Sequence, residues 1–371
     1  MPLPFRLAAY YCAHFVHVGL FTAYFPLWLA WRGFDAVEIA WVLALPPVTR
    51  IFAPAAWGWV ADRTGAHRGI VVFSCAVTAA AFTALPFTPH IALVVALMSV
   101  LAGGALPLVE AITLASLAGE SGRYGPIRLW GSVGFIALVL AGGTWLDRQP
   151  VATLPAVLVT LNLVALLAAL ALPATKPVIT SESAPFALAP EVRALFAAGF
   201  CNALAHGALY AFLTLHLERE GYSATLIGML WTLGVVAEIF VFLVLPQLFR
   251  RYALSTILAA SVACGVLRFL AIGWLAAELW IVLLAQLLHA ATFGAFHAAA
   301  VAAVHRLFPG AAHARGQTLF SSVTYGAGAA LGLVIAGWAW EEGGARLAFS
   351  LAALAAAAGA FFAQAVRPVE R

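Results

Sequence analysis

Short polar or Gly/Pro-rich breaks divide this chain into apolar stretches of about 20 residues, the length that an α-helix needs to cross the hydrocarbon core of a bilayer. Hydrophobic residues make up 64% of the 371 residues and charged residues only 9%, whereas about 25% of an ordinary soluble domain is charged. The sequence therefore predicts an all-α membrane protein with twelve transmembrane helices, at approximately 6–31, 37–61, 69–88, 91–118, 126–145, 151–172, 191–217, 224–249, 255–276, 279–305, 316–340 and 346–366.

Basic residues are distributed unevenly over the predicted loops. If the N-terminus is cytoplasmic, thirteen lysines and arginines fall on the cytoplasmic side, and the opposite loops hold only Arg32, Arg148, Arg219 and Arg346. The positive-inside rule then predicts both termini in the cytoplasm of a bacterial-type inner membrane. The net charge of +4 is accordingly a sign of topology, and it predicts no nucleic-acid partner.

The longest polar interruption, residues 173–190, contains four prolines and separates six predicted spans from six. It predicts an N-terminal six-helix bundle at 1–172, a cytoplasmic linker, and a C-terminal bundle at 191–371. Sliding one half along the other by 188 or 189 positions places Cys12 on Cys201, His17 on His206, Gly33 on Gly221 and Phe34 on Tyr222. Internal repeats of this kind are typical of transporters that work by alternating access.

The segment GWVADRTGAHR after the second predicted span resembles the signature of the major facilitator superfamily. Glycine permits close helix contact, and an acid with two arginines can form a latch between helices. The resemblance therefore implies the twelve-helix, two-bundle fold of that superfamily, with a conformational latch formed by Gly58, Asp62, Arg63, Gly65 and Arg68.

Residues 107–134, PLVEAITLASLAGESGRYGPIRLWGSVG, resemble the region of the fourth and fifth spans in the lactose permease group. The resemblance implies that Glu110 and Arg128 bind substrate; a salt bridge that only fixes the helical hairpin is the alternative. Longer stretches, including GYSATLIGMLWTLGVVAEIFVF, are more similar to the phenylpropionate permease branch, which implies an aromatic carboxylate as substrate.

Proton coupling departs from the lactose permease pattern. Arg268 and His289 resemble the arginine and histidine of its coupling cluster, but the acid expected one turn beyond the histidine corresponds to Thr292. Glu238 is the other carboxylate deep in a span, and intramembrane charges are costly enough to indicate function. We expect Glu238 to carry the coupling proton with Arg268 and His289; a structural ion pair with Arg268 or Arg128 is the alternative.

Further polar side chains mark helices that line the cavity in proteins of this resemblance. Arg50 is a candidate carboxylate anchor, since a guanidinium binds a carboxylate in a fork, although a permanent pair with Glu238 or a capping role is equally open. Single polar residues in a span more often form hydrogen bonds between helices. The other predicted substrate contacts are His17, Tyr24, Asn202, His206, Tyr210 and His297.

No nucleotide-binding, metal-ligand or catalytic pattern is found in the sequence, and the four cysteines have no metal-ligand spacing. We therefore expect a monomeric secondary transporter without a cofactor, embedded in the lipid bilayer and powered by the proton gradient. Symport of a small aromatic carboxylate such as 3-phenylpropionate is preferred over a sugar or nucleoside. A drug/proton antiporter is the nearest alternative, although the predicted fifth span lacks the Gly-Pro motif usual in that group, and a non-transporting membrane receptor is another.

Overall fold

The computed structural model describes residues 2–117, 121–174 and 189–366, and every regular element within these ranges is helical. The predicted linker at 173–190 lies largely outside the described residues. The prediction of an all-α protein is confirmed. The α-helices are α1 Leu3–Trp31, α2 Ala36–Arg50, α3 Ala53–Thr64, α4 His67–Ala84, α5 Ile91–Ala102, α6 Ala105–Ser116, α7 Tyr124–Leu146, α8 Leu154–Leu170, α9 Pro190–Arg219, α10 Ala224–Arg251, α11 Leu254–Leu275, α12 Leu279–Leu287, α13 Phe296–Leu307, α14 His313–Ser321 and α15 Ala329–Gln364.

Ten helices of the described residues are long and apolar enough to cross a membrane, and eleven if α2 and α3, which meet at a bend of 41°, form one span. The last of them, Arg315–Gln364, is 50 residues long. Non-helical backbone at Gly343 and Gly344 divides it into two parts. These parts match the eleventh and twelfth predicted spans, so the helical content agrees with twelve spans.

Contacts group the helices into two compact units. The first comprises the described parts of Met1–Gly33, Val48–Ile179 and Ser223–Gly228, and the second the described parts of Phe34–Pro47, Thr180–Tyr222 and Met229–Arg371. In the first unit α1 packs on α7 and α8, and α4 packs on α8; in the second, α9 and α11 both pack on α15.

The beginning of α10 belongs to the first unit, and Asp147 of that unit caps it. The Asp147 carboxylate accepts hydrogen bonds from the backbone N–H groups of Ala224 at 2.8 Å and Thr225 at 3.0 Å. Partial burial acts to raise the pKa of this carboxyl, but the bonds from Thr225 and Ala224 and the charge of Arg148 outweigh it, so the pKa lies below its ordinary value. A carboxylate at a helix N-terminus is further stabilised by the helix dipole.

The first helix of each predicted half of the chain ends in the same way, as the repeat predicts. Gly33 follows α1 with φ of 87°, and Gly221 follows α9 with φ of 88°. Such left-handed backbone favours glycine, which has no side chain to clash. The two residues are one of the pairs that the 188-residue shift aligns, so the sequence repeat is also a repeat of backbone geometry.

Five residues of the predicted latch lie around the end of α3. The Arg68 side chain donates a hydrogen bond to the Leu170 carbonyl at the end of α8, which is the expected contact between helices. Asp62 lies 3.6 Å from His67, the Arg63 guanidinium covers the Trp59 ring of its own helix, and Gly65 ends α3 with φ of 68°. Nothing lies within 4 Å of a Cβ added at Gly58, so close packing does not explain that glycine.

Glycine also allows a close helix contact in the second unit, where α9 crosses α15. A Cβ on Gly207 would overlap the backbone of Gly332, whereas a Cβ on Gly69 of α4 would meet only the Ala66 side chain, at an ordinary 3.8 Å. Small residues at such crossings let two backbones approach each other.

The same substitution at these two glycines should therefore have opposite effects. Gly207→Ala should lower the free energy of unfolding by about 1–3 kcal/mol or more, as overpacking does, and Gly69→Ala should raise it by about 0.5–1 kcal/mol. Thermal unfolding of the purified proteins in one detergent, followed by tryptophan fluorescence, measures both. Equal melting temperatures for the two variants would contradict the tight crossing.

Candidate functional site

Glu110 of α6 and Arg128 of α7 lie beside each other in the first unit, as the sequence predicts. Arg128 Nε is 4.0 Å from Glu110 Oε1, and the two side chains keep 31% and 39% of their accessible surface. This is a loose ion pair, since charge-assisted N–H···O bonds are usually about 2.7–2.9 Å long. The guanidinium is thus held near a carboxylate without being saturated by it.

Aromatic rings of α1 surround the Arg128 guanidinium. Its central carbon lies 4.2 Å from the centroid of the Phe15 ring and 5.5 Å from that of Tyr11. The Tyr11 hydroxyl lies 3.3 Å from the Thr113 hydroxyl, and Tyr124 hydrogen-bonds Glu110. Cation–π contacts orient an arginine without using its N–H donors, so those donors can bind an anion.

The other predicted contacts of this unit are distributed differently. His17 lies against His14, with ring centroids 5.0 Å apart, and its buried Nδ1 has no hydrogen-bond partner among the described residues. Arg50 is exposed and ends α2 at the bend before α3. Tyr24 is fully buried, and its hydroxyl donates to the Val139 carbonyl at 2.8 Å. Because the Tyr24 hydroxyl already donates its hydrogen to a backbone carbonyl, Tyr24 is not part of the proposed substrate site.

Arg268 is the centre of a second group of polar side chains, in the second unit. It is 1% exposed, and it donates hydrogen bonds to the Ala285 carbonyl at 3.0 Å, the Thr292 hydroxyl at 2.9 Å and the Gln286 side-chain oxygen at 3.1 Å. The Gln286 side chain in turn donates to the Leu230 carbonyl. The hydrogen-bond acceptors that the described structure gives this arginine are therefore not carboxylates, and its positive charge is stabilised by oriented dipoles.

The tautomer of His206 follows from its two neighbours. Nε2 lies 3.5 Å from Arg268 Nη1, and Nδ1 lies 2.8 Å from the Asn202 carbonyl oxygen. Arginine can only donate, so Nε2 accepts and Nδ1 carries the proton. The Asn202 side chain donates to the Thr292 carbonyl at 3.2 Å. Asn202, His206 and Arg268 thus form one network of predicted site residues.

Glu238 and His289 form the next pair, with 3.9 Å between Glu238 Oε2 and His289 Nε2 and side-chain exposures of 18% and 10%. The His289 and His206 ring centroids are 6.4 Å apart, which connects this pair to the network of Arg268. His289 Nδ1 is buried and has no hydrogen-bond partner within the described part of the chain. The expected proximity of Glu238, His289 and Arg268 is therefore found, with the histidine as the carboxylate's neighbour.

Two π-helical segments, Ala290–Ala295 and Ser322–Gly328, carry Phe293 and Tyr325, and His297 follows the first of them on α13. Phe293 stacks between His289 and His297, and His297 Nδ1 lies 2.7 Å from the Tyr325 hydroxyl. Such bulges are rare and often lie at functional sites. Hydropathy and helical periodicity do not predict them, so the role of Tyr325 was not predicted from the sequence.

Tyr210 completes the predicted stripe on α9. Its ring lies 6.1 Å from the His206 ring and stacks on Trp231 at 6.3 Å, and the Trp231 indole donates to the Thr214 hydroxyl at 2.9 Å. Asn202, His206 and Tyr210 thus share one face, as the spacing predicts. No group of three metal-ligand residues occurs among the described residues.

Comparison with known proteins identifies the family. Residues 5–351 match the MFS_1 like family. A probable 3-phenylpropionic acid transporter of Escherichia coli (strain K12) is 30% identical over 353 residues, which are 90% of each protein. A maltose permease of Geobacillus stearothermophilus is 28% identical over 365 residues, which are 91% of this chain and 89% of the permease.

Solved structures agree on the fold. The crystal structure of the nucleoside transporter NupG has a TM-score of 0.83 at 19% identity and covers 99% of both chains. That of the POT family transporter PepTSo has a TM-score of 0.77 at 13% identity, with 98% of this chain and 97% of the other covered. The chain therefore belongs to the MFS_1 like family of the major facilitator superfamily, whose members are multi-pass membrane transporters rather than enzymes.

Proposed function

We propose that this secondary transporter carries a small aromatic carboxylate together with a proton across a bacterial-type inner membrane, by alternating access of its two six-helix halves. Both termini are cytoplasmic in this proposal, and the described latch around Asp62 and Arg68 lies on the same side. In this proposal the monomer is the transporting unit.

The observation that carries the substrate class is the surrounding of Arg128. Its planar guanidinium is positioned by Phe15 and Tyr11 and loosely paired with Glu110. A substrate carboxylate could take the place of Glu110, which pairs only loosely with Arg128, and bind the guanidinium through two hydrogen bonds. The aromatic ring of the substrate could stack beside Phe15. The 30% identity to a probable 3-phenylpropionic acid transporter supports the same class.

The observation that supports proton coupling is the Glu238–His289 pair. A carboxyl group that exchanges burial for a neighbouring cation can be protonated in one conformation and ionised in another. His289 provides a second proton-exchanging group 3.9 Å away, with Arg268 behind it in the network. In this proposal the Glu238 carboxylate replaces the acid that the lactose permease pattern has at the position of Thr292.

Other substrates have their own support. The 28% identity to a maltose permease supports a sugar as an alternative substrate, whereas the likeness to a nucleoside transporter shows the fold alone. A carbohydrate has no anion for Arg128, and it would instead use Glu110 and Arg128 together as hydrogen-bond partners. A drug/proton antiporter has no comparable support in the site.

Uptake of labelled 3-phenylpropionate into proteoliposomes tests the proposal. We expect accumulation with an inward proton gradient, none above empty liposomes without it, and counterflow in both conditions. Empty liposomes measure the passive entry of the neutral acid, and unlabelled maltose and uridine should compete poorly. Saturable uptake of maltose or uridine, with none of 3-phenylpropionate, would overturn the carboxylate and retain a transporter.

A further inference from the structure

A cavity of about 320 Å³ lies in the second unit, away from the polar network of Arg268. It is formed where α9 and α11 end and where α15 kinks at Gly343, and its lining includes His216. His216 is ten residues beyond His206 on α9, or about 15 Å at 1.5 Å per residue. The cavity is therefore separate from the His206–Arg268 network of the same unit.

Two arginines line this cavity, and each lies on a tryptophan. The guanidinium carbon of Arg219 is 5.1 Å from the Trp340 ring, and that of Arg346 is 5.1 Å from the Trp274 ring. The indoles are themselves fixed, because Trp340 stacks on Phe212 at 4.5 Å and Trp274 donates to the Ser350 hydroxyl at 3.0 Å. The cavity thus holds two guanidinium groups on aromatic walls, of which Trp340 is buried and Trp274 is exposed.

The donors of both guanidinium groups remain available. Neither Arg219 nor Arg346 hydrogen-bonds or pairs with a carboxylate in the described part of the structure. Arg32 provides the contrast, since it also lies 5.1 Å from a tryptophan ring but donates to the carbonyls of Leu85 and Thr88. The N–H donors of Arg32 in the first unit are thus bonded to backbone carbonyls, whereas Arg219 and Arg346 in the second unit line a cavity.

The titratable side chains of the lining are two arginines, one glutamate and one histidine, and Glu218, beside the lining, interacts electrostatically with Arg219. Glu220 is the acidic residue of the lining, and its carboxylate lies 3.9 Å from His216 Nδ1. His216 Nε2 is bonded to the Ile272 carbonyl. Two arginines against one carboxylate leave the lining positive, and guanidinium forks match the oxygens of phosphate and carboxylate.

We infer that this cavity binds an oxyanion whose body is apolar, with Arg219 and Arg346 as its anchors and Trp274 and Trp340 as its walls. Tryptophan and arginine at helix ends are typical of the membrane interface. A phospholipid phosphate and a free aromatic acid share this chemistry. This inference does not depend on the proposed transport substrate.

Calorimetric titration of the purified full-length protein tests the site. The ligands are dihexanoyl phosphatidylglycerol, the matched phosphatidylcholine, inorganic phosphate and benzoate. The variants are Arg219→Gln/Arg346→Gln and, as a control, Arg148→Gln, which removes an exposed charge outside the lining. We expect the double variant to bind at least about tenfold more weakly, which is the loss of one charge-assisted bond, while Arg148→Gln binds as the wild type.

Comparison of the four ligands distinguishes the two possible sources of the oxyanion, a phospholipid phosphate and a free acid. Binding of phosphatidylglycerol without phosphate or benzoate identifies a lipid headgroup, whereas binding of a soluble anion that Arg219→Gln/Arg346→Gln weakens identifies a free one. Arg219→Lys/Arg346→Lys, which keeps charge but not the fork, should bind with intermediate strength. Equal affinity of the wild type and both double variants for every ligand, or no binding by the wild type, would overturn the inference.

Discussion

Glu238→Gln should abolish accumulation driven by the proton gradient and leave counterflow intact. Glutamine has the shape of the protonated glutamic acid and cannot release a proton, so exchange of labelled for unlabelled substrate needs no change at this residue. An electroneutral one-to-one symporter reaches about a tenfold gradient per pH unit, and the variant should take up substrate no faster than empty liposomes do.

The control for this variant is Glu341→Gln, which removes an exposed carboxylate of α15 that contacts neither polar group. It should accumulate substrate as the wild type does. His289→Gln should share the phenotype of Glu238→Gln, because the two side chains form one pair. Normal accumulation by Glu238→Gln would assign the coupling proton elsewhere, with His289 the next residue to test.

Arg128→Gln should weaken binding of a carboxylate substrate by about 10–100-fold, which corresponds to the 1.5–3 kcal/mol of hydrogen bonds to a charged group. Arg128→Lys should lie between, since lysine keeps the charge but loses the fork and the flat contact with Phe15. Binding of 3-phenylpropionate and of its neutral amide separates the charge from the rest of the ligand. The wild type should prefer the acid, and Arg128→Gln should lose that preference.

The alternative for this pair is a salt bridge that only fixes the hairpin, and it makes a different prediction. Exchanging the two residues in Glu110→Arg/Arg128→Glu would then restore uptake, because the attraction is preserved. Under the proposal the exchanged variant stays inactive, since the cation has left the aromatic environment of Phe15 and Tyr11. Restored uptake would therefore refute a direct contact with substrate.

The sequence predicts the helices well because a membrane span leaves a long and simple signal. Apolar stretches of about 20 residues locate the spans, and Gly33 with Gly221 reveals the repeat. The spacing of Asn202, His206 and Tyr210 correctly predicts a common face. These features depend on local sequence and on helical geometry, which one chain is enough to show.

Contacts between helices were harder to predict. The sequence shows Glu238 and Arg268 as intramembrane charges, yet in the structure His289 lies beside Glu238, and Arg268 donates hydrogen bonds to uncharged oxygens. Gln286 was missed because one polar residue in a span carries no signal of its partner. Which acceptor satisfies a buried arginine depends on helix rotation, and periodicity alone does not fix the rotation of one helix against another.

The two π-helical segments determine which side chains lie on the same face before and after each segment. A π-bulge is equivalent to one extra residue inserted into an α-helix, and each residue of an α-helix turns the chain by about 100°. Deleting Ala291 alone would allow the segment Ala290–Ala295 to become regular, and everything beyond it would rotate by that angle relative to His289. His297 of α13 would then turn away from Tyr325 of the segment Ser322–Gly328. The hydrogen bond between these two side chains therefore depends on the one extra residue in the segment Ala290–Ala295.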